Sequence, residues 1–589
     1  MSENARSLVL VHNLEYSANQ NDLVYLDESW KPVEKGAIFT HKNSFVMNQY
    51  QPTLPQEVHQ KSQALEKKLL AELALKLNAY HGTSLSERAW RIILGHWLRM
   101  YSQIVCKYTI AIQKAYSEGV SEVYLNKQIA DLETPLDTSE ANYYFESKKT
   151  IEMICAETYQ AMQKTIPCTA IPINGSKKLR LNYTHLNYKA SLNEKIQDKI
   201  KSIMHSAGKY LVKNQDALII STYLPISQEI LLNLRLGQWP SFYTLHNSSQ
   251  DINNSVDFEL RKKLFSDYKP ESVEERVAWS LIPTVIPLIF LENFQSTSEE
   301  IKERKFPPNP KLIFTANSFM NDETFKQFVA FQVDKGIPYF VAQHGNNYGT
   351  LLYTNPTIEE ETCDHFISWG WKTGNAIPGF VIKNPKPRLR KRSHDKEDLL
   401  LIMGHKNFSS SIHDTEKEFK ENVVIQRNFL NSLNVELIKK STVRFHPYSL
   451  KNGENGLIKD VGNLGVKSIN LGNSSIRPLI KQSRVVIHAY DSTGILETLS
   501  QNIPTMAFWH KESSPKLNSA ETYYRMLEEV GIINYDSESM ANFLNSNFEK
   551  IDEWWLSDKV QQAREHFCNE YARLNYKPVR TLTRILKLS

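Results

Sequence analysis

Short apolar runs that stop on a polar or small residue, each followed by a segment of helical length, recur along this chain. In the first half they are DALIIST (216–222), KLIFTAN (311–317), PYFVAQH (338–344) and HFISWG (365–370), spaced by segments such as DETFKQFVAFQVDKG. In the second half they are DLLLIMGH, STVRFHPY, SRVVIHAY and TMAFW, with helices expected over about 416–434, 475–482 and 493–500. Strand and helix alternating in this way predict an α/β fold, a mostly parallel sheet with helices on both faces. Between the two series lies KNPKPRLRKRSHDKED (383–398), with two prolines and six basic residues up to Arg392, which reads as a linker.

The chain therefore divides into two Rossmann-like domains, 1–385 and 398–555, with 556–589 expected to close as a helix back on the first. The first domain opens with SLVLV, a polar loop HNLEYS and a second strand within NDLVYLDESW. The helical period of QKSQALEKKLLAELALKLNAY and its neighbours marks a helical insertion over about 55–163.

Bulk properties exclude several classes. A net charge of +5, from 70 basic and 65 acidic residues, is too slight to predict a nucleic-acid partner. Five cysteines with no CxxC pair suggest neither a disulfide framework nor a zinc site. The N-terminal run of Leu8 to Val11 is shorter than a signal-peptide core, and LIPTVIPLIFL (281–291) is about half of the ~20 residues that a membrane helix needs. A soluble, cytoplasmic protein is expected.

In parallel sheets ligands bind beyond the carboxyl ends of strands. The residues there are GHKNFSS after Met403, HPYS after Phe445 and AYDSTG after Ile487, all polar or small. Asp491, Ser492, Thr493 and Gly494 fall between a strand and a helix, where free N–H groups and the helix dipole favour a phosphate. Glu497 follows within reach of ribose hydroxyls; the alternative is a helix cap of the capping-box type. Arg444, His446 and Pro447 end the neighbouring strand, where a charge-assisted donor would meet the same phosphate. In the first half, Gln343 and His344 end a strand, and Gly345 and Gly349 let the loop through Asn346 bend close to a ligand.

Absent motifs narrow the reading. There is no GxxxxGK[ST] and no GxGxxG after the first strand, which disfavours a P-loop and a dinucleotide dehydrogenase. No two aspartates lie two apart, so a metal-chelating DxD is missing. A metal-independent, two-domain nucleotide-sugar enzyme fits what is left.

Several segments carry a resemblance: LEYS with LVYLDESW, RAWRIILGHWL, TPLDT, STYLP with LRLGQWP, KLIFTANSF, AQHGNNYGT, SWGW, HAYDSTGILETLSQNIPTMAFW, EWW and AREHFCNEYAR. Over nearly its full length the chain resembles a family of bacterial cell-surface carbohydrate transferases. Its members look like GT-B glycosyltransferases related to capsule Kdo transferases and CDP-glycerol polymerases. The resemblance implies an N-terminal acceptor domain and a C-terminal domain holding a cytidine nucleotide, with His446, Ser492, Thr493 and Glu497 at its phosphate and ribose. It implies a CMP-linked donor of a nonulosonic acid (pseudaminic or legionaminic acid) or Kdo, a glycan or lipid-linked acceptor, and no cofactor. Where many relatives have AQHGGG, this chain has Asn346 and Asn347, and Asp491 precedes Ser492.

Sugar transfer needs a base for the acceptor hydroxyl and stabilisation of the departing phosphate. Glu15, in the loop after the first strand where related Kdo transferases carry an acidic base, is the preferred base. His344, expected on another strand of the same sheet, is the second candidate and the preferred binding group. Asp137 in TPLDT is a weaker candidate for substrate contact, and Trp369 and Trp371 are expected to pack the strand. A CDP-glycerol-type phosphotransferase and a non-catalytic nucleotide-sugar binding protein are the rival readings. The basic linker suggests weak attraction to the anionic inner membrane.

Overall fold

In the computed structural model every strand pairing within the sheets is parallel, as the alternation requires. The structure describes residues 54–117, 134–145, 147–162, 211–243, 255–383, 397–405, 416–449 and 454–588, the backbone of five strands outside those ranges, and a few single positions. Three sheets are formed. The first contains β1 (Arg6–Val9), β2 (Asp22–Tyr25), β3 (Ser44–Val46), β4 (Val120–Asn126) and β5 (Thr169–Ile173), in the order β3-β2-β1-β4-β5. The second contains β6 (Leu218–Ile220), β7 (Ile313–Thr315), β8 (Tyr339–Ala342), β9 (His365–Ser368) and β10 (Ala376–Pro378), paired in simple succession.

The third sheet contains β11 (Asp398–Ile402), β12 (Ser441–Arg444), β13 (Ser468–Asn470), β14 (Ser483–His488), β15 (Thr505–Phe508) and β16 (Ile533–Asn534). Its order, β13-β12-β11-β14-β15-β16, is the 3-2-1-4-5-6 arrangement of nucleotide-binding doubly wound sheets. β14, SRVVIH, is buried at every position. Burying Val485, Val486 and Ile487 contributes roughly 1.5–3 kcal/mol apiece.

The fold is thus α/β and GT-B-like, two Rossmann-like units on the second and third sheets facing each other across a cleft. Two expectations are corrected. Residues 55–163 are not a purely helical insertion: β4 lies among them and pairs with β1. β1 and β8 belong to different sheets, so the loop after β1 and His344 do not share one sheet edge. Glu15 itself lies outside the described residues.

Long helices support the second sheet. Leu54–His81 and Glu87–Ser117 pack against one another, burying Trp90, Trp97 and Tyr101. They clamp the short helix Ile358–Thr362: Arg91 and Arg99 bridge the buried Glu66 (2.8 and 3.1 Å) and Glu361 (2.6 and 2.7 Å). Thr357 and Glu360 close a capping box at the start of that helix, and so hold Glu359 in place below the cleft. At the other end of the chain, Arg573 N–H donates to Trp369 O (2.8 Å), and the helix Pro578–Ile585 packs on the helix Ile226–Arg235.

Candidate functional site

Strand order in the third sheet reverses between β11 and β14, and there the crossovers to either side leave a crevice at the carboxyl ends. A cleft opens at that point, about 770 Å³ counting the solvent at its mouth. Gly404, His405, Tyr490 and Asp491 supply its floor, Asn422 and Trp509 its sides, and Asn347 and Leu351 reach in from the second sheet. Any side chain at position 404 would sit 3.3 Å from Ala489 O, so the small residue lets the two strand-end loops meet.

Rings line the crevice. His405 stacks on His446 (3.7 Å between centroids, 10° between planes), His446 on Tyr448 (5.4 Å), and Tyr490 stands edge-on to His405 (5.9 Å). His446 Nδ1 accepts from Tyr448 N–H (3.3 Å), which leaves the hydrogen on Nε2. Burial, and then the Arg444 charge, lower the His446 pKa, so this ring offers a neutral N–H at pH 7. The expected charge-assisted donor is therefore a neutral one. Arg444 turns the other way: its guanidinium donates to Asn470 Oδ1 (2.7 Å), Ser474 O (2.8 Å) and Gly472 O (3.3 Å), pinning the loop after β13. Pro447 directly follows His446 and lies against Gly472.

The AYDSTG segment forms the predicted helix Thr493–Ser500, with Ser492 as N-cap. The third helical residue is Ile495, so Glu497 closes no capping box; it pairs with Lys383 (3.4 Å) at the start of the linker. Ser492 makes no side-chain cap, its hydroxyl lying 3.2 Å from Nδ1 of buried His488. Burial lowers the pKa of His488 to about 3. A Cβ at Gly494 would stand 2.6 Å from His488 Cε1. Gly494 is thus required by the histidine beneath the helix, and the first-turn N–H groups stay uncapped by side chains.

The remaining two residues of the segment tie the units together. Thr493 Oγ1 accepts from Asn346 N–H (3.0 Å), and Asp491 accepts from Asn346 Nδ2 (2.7 Å) and Ser514 Oγ (3.0 Å). Asp491 also forms an ion pair with Lys516, both side chains buried (5% and 7% exposed). A Cβ at Gly345 would lie 3.1 Å from Thr493 Oγ1, so its small size serves this interdomain approach. Backbone bonds complete the joint, Leu352 N–H to Pro515 O (2.9 Å) and Leu517 N–H to Thr350 O (2.8 Å).

On the second sheet, His344 follows β8 and faces Tyr223 (6.1 Å, 13°), Phe319 (5.8 Å) and Tyr348 (5.5 Å). Its Nδ1 lies 3.1 Å from Tyr348 Oη, and Tyr348 is hydrogen-bonded in turn to buried Glu359. With Glu359 ionised, the phenol donates to the carboxylate, Nδ1–H donates to Oη, and Nε2 is left as an acceptor. With Glu359 neutral, the phenol faces Nδ1 and Nε2 keeps the hydrogen. Burial raises the Glu359 carboxyl above its ordinary range and lowers His344 to about 4. Ser221 (φ 49°), Tyr223 (φ 59°) and Asn347 (φ 78°) are left-handed, a strain that clusters at ligand-handling loops.

The structure brings Gly345 and Asn346 together with Asp491 and Thr493, and stacks His446 on His405 of the cleft. His344 packs behind this joint against Tyr223, Phe319 and Tyr348, and Ser492 and Gly494 face His488. Gln343 is a structural hub: its Oε1 accepts from Trp369 N–H (2.8 Å) and Trp371 Nε1–H (3.0 Å), and its Nε2 donates to Gly345 O (2.8 Å). Asp137 caps the helix Thr138–Phe145 by accepting from Glu140 N–H (2.8 Å). His405, Tyr490, Tyr223 and the pair Tyr348–Glu359 are the additions. His405 carried a signal, its place directly after an apolar run, whereas Glu359 and Lys516 become visible only in the packing.

Fold and cleft define a two-domain α/β transferase architecture. The model of the LIC12162 family of transferases matches residues 6–586, and the chain belongs to that family. Among solved structures the chain is similar to MurG of Acinetobacter baumannii (10% identity, 64% of this chain and 100% of that one, TM-score 0.32). It is similar also to the spinosyn rhamnosyltransferase SpnG complexed with spinosyn aglycone (10%, 63% and 99%, 0.29). A third is WaaG, a glycosyltransferase involved in lipopolysaccharide biosynthesis (10%, 51% and 96%, 0.27). No curated protein matches the chain.

Proposed function

We propose that the protein is a metal-independent glycosyltransferase that moves a nonulosonic acid or Kdo from a CMP-activated donor to a cell-surface glycan or lipid-linked acceptor. The observation that carries this reading is the cleft at the switch point of the third sheet, closed from the other side by the loop bearing His344. The uncapped first turn of Thr493–Ser500 favours the phosphate, the His405–His446 stack offers a face to the nucleotide, and Tyr223 with His344 faces the sugar. The cytidine class rests on the sequence resemblance to capsule Kdo transferases.

In the reaction the acceptor hydroxyl loses its proton to a base and its oxygen bonds to the anomeric carbon, while the carbon–oxygen bond to CMP breaks and CMP departs with the electron pair. Glu15 serves as base. His344, with a conjugate acid near pKa 4, is a weak base and suits a neutral hydrogen bond to the donor. Release of CMP from a CMP-sugar, with a suitable acceptor supplied, tests this. Glu15→Gln should lower kcat by about 10²-fold or more, and His344→Ala should raise KM. Full turnover in both variants rules out these roles, and CMP-sugar binding without turnover favours the binding-protein reading.

A further inference from the structure

We infer that the outer face formed by the helices Ile226–Arg235 and Pro578–Ile585 docks on an anionic phospholipid surface. These helices lie side by side on one face of the second sheet, with Leu232, Leu236, Val579, Leu582, Ile585 and Leu586 turned inward into one core. What they turn outward is unusual in two respects.

The first is apolar. Of the fifteen large hydrophobic side chains exposed among the described residues, five fall on these two helices and their ends: Leu231, Leu234 (55%), Trp239 (45%), Tyr576 (79%) and Leu588. Singly exposed apolar residues are ordinary, but five on two adjoining helices and their ends are a concentration that calls for a partner. Trp and Tyr with Leu is the composition that settles at the boundary of headgroups and acyl chains.

The second is charge. Residues 572–588 hold five cations and no acid. Lys577, Arg580, Arg584 and Lys587 are exposed, as is Arg235 beside Leu231 and Leu234, and none of these five forms an ion pair among the described residues. The one acid of the helix Ile226–Arg235, Glu229, is buried and accepts from Thr222 Oγ1 (2.6 Å). The two helix ends converge: Lys311 donates to Leu236 O (2.6 Å) and lies near enough to Lys587 to feel its charge. Asp216 at this end is buried and accepts from Lys213 N–H (2.9 Å). Asp216 offsets Lys311, and the five exposed cations remain in excess. This net positive field around an apolar centre complements a negative bilayer, whereas a second copy would set like charges against like. The helix Ile226–Arg235 begins three residues after Tyr223, which stacks on His344, so docking here sets the His344 side of the proposed site toward the membrane surface, where a lipid-linked acceptor is met.

The inference extends the proposed function, but its test needs neither donor nor turnover, so each can fail alone. The full chain is floated with phosphatidylcholine vesicles containing about 30% phosphatidylglycerol and with pure phosphatidylcholine vesicles, at low and high salt. Binding is expected to the anionic vesicles only and to fall with salt. Arg580→Glu with Arg584→Glu should weaken it at least about tenfold, and Leu234→Ser with Trp239→Ser should weaken it independently. Arg388→Gln with Arg390→Gln in the linker should leave it unchanged. Leu234, Trp239, Arg580 and Arg584 are all exposed, so melting temperatures should not move. Absence of anionic-vesicle binding overturns the inference, as does binding lost only in the linker variant. Light scattering that shows a dimer broken by Leu234→Ser with Trp239→Ser, without vesicle binding, overturns it in favour of a second copy.

Discussion

The two strand edges that meet at the cleft handle polar residues in opposite ways. At the edge of the third sheet, small and polar residues are turned inward or across the joint: Ser492 to His488, Arg444 to the 470–474 loop, Asp491 to Lys516 and Asn346. What this edge leaves for a ligand is backbone and ring faces. The edge of the second sheet sends Asn347 and Leu351 into the cleft, with left-handed Ser221 and Tyr223 beside His344. A DSTG segment at a helix N-terminus thus builds the joint, and the facing loop carries the buried His344–Tyr348–Glu359 chain.

The largest effect should come from the joint. Asp491→Ala strands Lys516 as a buried charge, which costs about 3–5 kcal/mol, read by chemical denaturation. Asp491→Ala with Lys516→Met should recover most of that loss; equal loss in the double variant breaks the ion-pair account. Next, Gly494→Ala forces a methyl group against His488 and should cost about 1–3 kcal/mol, whereas Gly345→Ala, facing only Thr493 Oγ1 at 3.1 Å, should cost less than about 1 kcal/mol. Reversal of that order would contradict the claim that Gly494 answers to the core and Gly345 to the joint.

Two smaller effects sharpen the contrast in protonation. Burial lowers His344 to about 4 and His488 and His96 to about 3, so the unfolded chain binds protons that the folded one refuses. Stability should be full above about pH 6.5 and fall as pH drops from there toward 4, with His488→Gln flattening the slope. A melting temperature independent of pH over that window would refute these burials. Last, Tyr348→Phe removes the hydroxyl that bonds both Glu359 and His344, at a cost of about 1–3 kcal/mol, and should change the tautomer balance of His344 in histidine ¹⁵N spectra. An unchanged spectrum would disconnect Glu359 from His344.

The third sheet was largely legible because β11, β12, β14 and β15 are apolar runs ending on polar residues, and the helix Thr493–Ser500 falls on its predicted bounds. β13 and β16 escaped, being three and two residues long, with β13 only partly buried at the sheet edge. The separate first sheet was hidden because β4 lies among long helices, and pairing between β1 and β4 joins residues more than a hundred positions apart. At the site, His344, His446 and the DSTG segment could be named from their place after strands. Their directions could not, since Arg444, Gln343 and Ser492 are turned by partners that only tertiary packing brings near.

The proposed function puts a cytidine nucleotide in the crevice between β11 and β14, under the His344 loop. Thermal shift of the full chain with CMP, CDP, UDP and GDP, repeated on His405→Ala, tests it most directly. CMP should stabilise the protein above the others, with most of the shift lost in His405→Ala. Preferential stabilisation by UDP or GDP, or a CMP shift that survives His405→Ala intact, would contradict it.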